Sequence, residues 1–97
     1  MAQLGKQVWI CTDLLQDAVK FLFKDFKKSV EITNKLTIER EEARNIHFDY
    51  MKKLFSESYY DKEELLLFHE ASQRVLDVGN LAEDAGDYIR ELAVKYS

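Results

Sequence analysis

From residue 65 to residue 96, every third or fourth position carries an apolar or very small side chain: Leu65, Phe68, Ser72, Val75, Gly79, Ala82, Gly86, Ile89, Ala93 and Tyr96. That spacing follows one face of an α-helix, and no strand can present it on a single side. A second stripe runs beside the first through Leu67, Ala71, Val78, Leu81, Ala85, Tyr88 and Leu92. Two adjacent stripes predict a helix packed against two neighbours at once. Glycine inside a helix costs about 1 kcal/mol relative to alanine. Gly79 and Gly86 lie two turns apart on the same face, so close approach of another helix is the expected compensation. Ser72, Gly79, Ala82 and Gly86 are the predicted packing contacts.

The rest of the chain gives that helix its neighbours. There is no proline and there are only three glycines, so little interrupts long elements. Near the N-terminus, Leu4, Val8, Cys11, Leu15, Ala18 and Leu22 are spaced by three and four, and Trp9, Ile10, Leu14 and Phe21 widen this stripe. A helix covered on more than one side is expected there. Asp25 is a candidate cap for the next helix. That helix shows a seam of Ile32, Leu36, Ala43, Ile46 and Tyr50, interrupted by Glu39, and a bordering seam of Phe26, Val30, Met51 and Leu54. Thr33, Thr37, Arg40, Arg44 and His47 separate the two. A helix of about 30 residues would reach about 45 Å. Residues 56–60 form the clear boundary. Asp61 followed by Glu64 has the spacing of a capping box, with Tyr60 and Leu65 placed for a hydrophobic staple. The expected fold is all-α: an antiparallel three-helix bundle of long helices, at about 3–24, 26–55 and 61–96, in a single domain.

A chain of 97 residues buries only about two thirds of its unfolded surface, so helical proteins of this size often add a partner surface. A net charge of -4, with the basic pairs Lys27–Lys28 and Lys52–Lys53 set among carboxylates, argues against nucleic-acid binding, which needs clustered cations. The single cysteine, Cys11, offers no internal disulfide, and its apolar neighbours suggest a buried small residue rather than a reactive thiol. The N-terminus lacks the features of a signal peptide. No apolar run approaches the roughly 20 residues of a membrane span, and the mixed-sign helix faces do not match a lipid-lying helix. A cytoplasmic protein is expected.

No catalytic constellation stands out. A helical di-iron carboxylate centre needs Glu-x-x-His pairs, yet Arg44 precedes His47 by three and Leu66 precedes His69 by three. Cys11 has no histidine near it in sequence, and Gly5, Gly79 and Gly86 are isolated rather than clustered in a phosphate loop. Paired acids such as Glu41–Glu42, Glu63–Glu64 and Glu83–Asp84 suit solvated helix faces. No cofactor is expected.

Three segments resemble the PhoU-like family of phosphate-transport regulators. Glu41-Glu42-Ala43-Arg44-Asn45-Ile46 is similar to the family's Glu-x-x-Ala-Asp-x-Ile segment. Leu54-Phe55, a short loop and Asp61-Lys62-Glu63-Glu64-Leu65 are similar to its entry into the next helix. Residues 74–89, with Leu81-Ala82-Glu83-Asp84-Ala85-Gly86-Asp87 at their centre, resemble its Leu-Ala-Glu-Asp-Ala-Ala-Asp segment. The resemblance implies a three-helix half-domain that self-associates as a two-fold dimer and contacts a transporter or sensor in phosphate uptake. The family's metal sites use acids four residues apart. The matching positions here are Arg40 and Arg44 in the second helix, and Leu76 and Asn80 in the third, with Asp77 and Asp84 only at flanking places. The resemblance therefore implies a lost metal cluster. Two arginines one turn apart can together hold a phosphate or carboxylate, which makes Arg40 and Arg44 a candidate anion or partner contact. Surface ion pairing with Glu41, Glu42 or acids of another helix is the simpler reading.

Overall fold

The computed structural model describes residues 2–22, 24–56 and 60–96. Three helices fill them: α1 (Ala2–Phe21), α2 (Phe26–Ser56) and α3 (Lys62–Tyr96). All three pack against one another in a body 55 × 16 × 15 Å. The expected all-α bundle is present, with no strand among the described residues.

Helix ends follow local chemistry. α1 stops at Phe21, three residues before the expected end. The backbone there tightens, with Leu22 N–H on the Val19 carbonyl at 3.2 Å and Asp25 N–H on the Phe21 carbonyl at 2.8 Å. Asp25 then caps α2, its carboxylate accepting the Lys28 N–H at 3.2 Å, a contact of about 1 kcal/mol. Asp61 does the same for α3, accepting the Glu64 N–H at 2.8 Å. Tyr60 also stacks edge-on with Phe68 of α3, ring centroids 5.4 Å apart. Of the 56–60 boundary, residues 57–59 lie outside the described residues.

The core is layered, and the layers define the topology. Leu4 and Val8 of α1 meet Ala43 of α2 and Leu76 of α3. Cys11 meets Leu36 and Ala82. Ala18 and Leu22 meet Ile32 and Ile89. As α1 numbers rise, α2 numbers fall and α3 numbers rise, so the bundle runs up, down and up. Leu4 and Leu36 are almost fully buried, and truncating either to alanine should cost about 2–5 kcal/mol. This register leaves residues 62–72 of α3 running past the start of α1, by roughly 16 Å at 1.5 Å per residue.

The first α3 stripe faces this core. Ser72, Gly79, Ala82, Gly86, Ile89 and Ala93 are buried, and Leu65, Phe68 and Val75 are partly so; the side chain of Tyr96 lies outside the described residues. The two glycines differ. A Cβ on Gly86 would sit 2.9 Å from Leu36 Cδ2, whereas one on Gly79 would meet Val8 Cγ2 at an ordinary 3.6 Å. Only Gly86 is held to its size by a neighbour.

Two expectations about coverage are met only in part. The second α3 stripe does not pack on a neighbour along its length: Leu67, Val78, Leu81 and Tyr88 are exposed, and Ala85 and Leu92 are half-buried. α1 is covered by both α2 and α3, but its widened stripe only in part: Leu14 and Phe21 are half-buried, whereas Trp9 and Ile10 are exposed. In a three-helix bundle each helix has two neighbours and one outer side, and these residues fall on the outer side.

Candidate functional site

The polar residues that separate the α2 seams form the α2–α3 contact. Ser29, Thr33 and His47 are buried, and Thr37 and Arg40 are half-buried. Small hydroxyl residues leave room for α3 to approach at Gly86 while supplying hydrogen bonds across the seam. Arg90 reaches from α3, its Nε donating to Thr33 Oγ1 and its guanidinium to the Thr33 carbonyl, each at 3.0 Å; Thr37 Oγ1 accepts a further bond. Ser29 Oγ donates to the Ala18 carbonyl of α1 at 2.8 Å. Gln7 of α1 bonds the Glu39 carbonyl at 2.9 Å and the Glu39 carboxylate. The α1–α2 and α2–α3 pairs are therefore held in register by polar contacts as well as by packing. No buried side-chain nitrogen or oxygen among the described residues lacks a partner.

One cluster has the residue types of a nucleophile and its base. His47 Nε2 lies 3.1 Å from Ser72 Oγ. Ser72 Oγ in turn donates to the His69 carbonyl at 3.1 Å, so the serine accepts from a proton on His47 Nε2. Ser72 is 0% exposed, out of reach of a substrate, and its own proton is committed to a carbonyl. The arrangement clamps α2 to α3. Burial, with a smaller contribution from the neighbouring His69 ring 6.1 Å away, lowers the His47 pKa from its ordinary 6.5, against a weaker opposing pull from Asp77.

Beside this clamp a groove of about 630 Å³ opens between α2 and α3, lined by Arg40, Arg44, His47, Asn80, Glu83 and Asp84 among others. All four positions that the resemblance matched to metal ligands, Arg40, Arg44, Leu76 and Asn80, line this groove. Leu76 also belongs to the buried cluster around Leu4. Arg40 Nε donates to Glu83 Oε2 at 2.8 Å, with both side chains mostly covered, and Glu41 lies at 3.7 Å. The hydrogen bond to Glu83 raises the Arg40 pKa further above its usual value. Arg44, by contrast, is exposed. The two arginines do not form a free pair: an anion at both would have to displace the Glu83 carboxylate. Arginines and acids of opposite sign roughly balance in this groove. Among the described residues, no group of three or more His, Cys, Asp and Glu side chains is placed to hold a metal ion.

Cys11 is fully buried, and desolvation, more than the nearby Glu39, raises its thiol pKa. A thiol there is a packing atom.

The other distinctive surface is apolar. Trp9 on α1 and Leu67, Leu81 and Tyr88 on α3 are 72%, 65%, 68% and 61% exposed. Period-seven spacing in the sequence revealed the α3 stripe; only the register of the three helices shows that it is uncovered.

Among curated proteins, the UPF0111 protein PH1389 of Pyrococcus horikoshii is 26% identical over 83 residues, covering 86% of this chain. The chain spans 39% of that relative's length. The likeness is distant. No family model matches the chain, and no solved structure matches it significantly. No helix among the described residues is long and apolar enough to cross a membrane.

Proposed function

We propose that this chain is a non-catalytic, PhoU-like binding module, acting by protein contact in phosphate transport or its signalling. The observation that carries the binding reading is the exposed apolar strip along α1 and α3, on a bundle whose polar interior groups are satisfied internally. Single exposed hydrophobics are ordinary, but so many large ones left exposed on one small bundle, Trp9, Leu67, Leu81 and Tyr88 among them, favour an interaction surface. The phosphate assignment rests on the resemblance of residues 38–97 to PhoU-like sequences.

The partner in this reading is a transporter or sensor protein, contacted from the cytoplasm. The groove arginines offer a second contact, with Arg44 the exposed member. Arg40 serves mainly to tie α2 to α3 through Glu83. The test is a phosphate-responsive reporter compared in cells with and without this gene. Its basal or induced level should shift on deletion and be restored by the intact chain. An unchanged reporter at both high and low phosphate would sink the phosphate assignment and leave a generic helical interaction bundle.

A further inference from the structure

We infer that His47, His69 and Gln73 form a binding site for one divalent transition-metal ion of the zinc class. The inference goes beyond the protein-contact reading above and does not rest on it.

The fold makes this cluster. His47 sits on α2 and His69 on α3, far apart in sequence, yet their ring centroids lie 6.1 Å apart with 56° between the planes. Gln73 stands one turn after His69 on the same side of α3. It lines the α2–α3 groove together with His47. The donors are two imidazole nitrogens and an amide oxygen, a set that suits Zn2+, Ni2+ or Cu2+. A hard ion such as Mg2+ or Ca2+ would call for carboxylates instead. No third His, Cys, Asp or Glu completes the set among the described residues, so the remaining coordination places fall to water. These are not the positions, acids four residues apart, that the resemblance matched to metal ligands.

Two hydrogen bonds aim the donors. Ser72 Oγ donates to the His69 carbonyl at 3.1 Å and so accepts from His47 Nε2, also at 3.1 Å. That places the proton of a neutral His47 on Nε2 and leaves the lone pair on Nδ1, the nitrogen a metal would take. A ligating histidine ordinarily gives its other N–H to a partner of this kind, which holds the ring in place. Gln73 is set in the same way. A carboxylate only accepts, so the Gln73 amide nitrogen faces Asp77 at 3.0 Å and the carbonyl oxygen is turned away from it. Asp77 also supplies a negative charge close enough to act on His47. Arg44 lines the same groove, but it is exposed, so water and salt screen its repulsion of a cation.

The spacing allows one shared ion. Zinc lies about 2.0–2.1 Å from an imidazole nitrogen, which puts each ring centre roughly 3.2 Å from the ion. Two rings on one ion then have centres up to roughly 6.4 Å apart, and about 5.2 Å apart at a tetrahedral angle. The observed 6.1 Å lies inside that limit. Tetrahedral binding requires a closure of about 1 Å. His47 is buried and held by Ser72, whereas His69 is exposed and supplies the movement by rotating about its side-chain bonds. His69 belongs to the part of α3 that runs past the start of α1. An ion here ties α2 to α3 at the end of the bundle that α1 does not reach.

The experiment is isothermal titration calorimetry of Zn2+ into the tag-free 97-residue chain at neutral pH in a non-coordinating buffer, with thermal melts by circular dichroism alongside. One ion should bind per chain, and Zn2+ should raise Tm whereas Mg2+ should not. His69→Ala, at an exposed position, should keep the Tm of the metal-free protein. It should also weaken Zn2+ binding at least about tenfold and abolish the rise in Tm. Gln73→Leu should weaken binding as well, with the helical signal retained. Absence of stoichiometric binding would overturn the proposal. Zn2+ binding indifferent to His69→Ala or to Gln73→Leu would overturn it too, and would mark an adventitious ion only. The titration needs no phosphate reporter, so the two readings fail separately.

Discussion

The two core glycines should respond in opposite ways to the same substitution. Alanine at a helix-interior glycine gains about 1 kcal/mol in helix propensity. At Gly79 the new methyl would rest 3.6 Å from Val8 Cγ2, an ordinary contact, so Gly79→Ala should keep most of that gain. In a domain of this size 1 kcal/mol corresponds to about 4–8 °C in Tm. At Gly86 the methyl would sit 2.9 Å from Leu36 Cδ2. Leu36 is 1% exposed and wedged beside Cys11 and Ala82, so its flexible end has little room to turn away. Overpacking of this kind costs roughly 1–3 kcal/mol. After the propensity gain, Gly86→Ala should leave the protein unchanged to about 2 kcal/mol less stable. Thermal melts at one fixed protein concentration read both. A double-mutant cycle isolates the cause: in a Leu36→Ala background the clash is gone, and Gly86→Ala should there stabilise by about 1 kcal/mol. If Gly86→Ala raised Tm as much as Gly79→Ala in the unaltered background, the close-approach argument would be refuted.

Three further outcomes follow from the polar contacts and the exposed strip. The folded-state pKa of His47 is lowered, so below about pH 6.5 the unfolded chain binds more protons than the folded one. Stability is therefore full above that pH and declines as pH falls through the lower folded value; urea midpoints between pH 7 and pH 5 should show a shallower decline in His47→Gln. Arg40→Ala should cost about 1–3 kcal/mol by breaking the partly covered bond to Glu83, whereas Arg44→Ala should change stability by less than about 0.5 kcal/mol. Equal losses in chemical denaturation would contradict that division. For a dimer unfolding to separate chains, with an enthalpy of about 0.7 kcal/mol per residue, Tm should fall about 3–4 °C per tenfold dilution. A Tm constant over a hundredfold range would argue against association.

The legible parts of this molecule are the ones that local chemistry decides. The Asp61 cap and the core stripe through Gly79 and Gly86 depend on residues three and four apart, and such spacing is visible in one dimension. The end of α1 was less visible, because the turn after Phe21 has neither glycine nor proline. It is instead closed by backbone bonds from Leu22, Lys24 and Asp25. The α2–α3 seam could not be read. Thr33, Thr37 and Arg40 look like a solvated strip until Arg90 and Glu83 are placed opposite them. The second α3 stripe misled for a related reason: periodicity reports which residues share a face, not whether a neighbour exists to cover it. For the candidate site, the sequence pointed to both Arg40 and Arg44, but only the register separates the one held by an acid from the one left exposed.

The distribution of side-chain size ties these observations together. Several of the most deeply buried positions carry Ala18, Ala43, Cys11, Ser29 and Ser72, and this lets three helices close to a cross-section of about 16 by 15 Å. Small side chains remove little apolar area from water, at about 25 cal/mol per Å², so this interior yields less hydrophobic stabilisation than a leucine-filled one. Meanwhile Trp9, Leu67, Leu81 and Tyr88 stay in water. A bundle optimised to stand alone would place its large apolar residues inside and its small ones at the surface. Here Leu4, Leu36, Leu76 and Ile89 do lie inside, but the apolar area left on the exposed residues is stabilisation that only burial against a partner would add. The small residues at the closest helix contacts and the large ones left outside thus follow from one packing choice: three helices drawn together at Ala18, Ala43, Ser72 and Gly86 leave no fourth side to cover the outer faces.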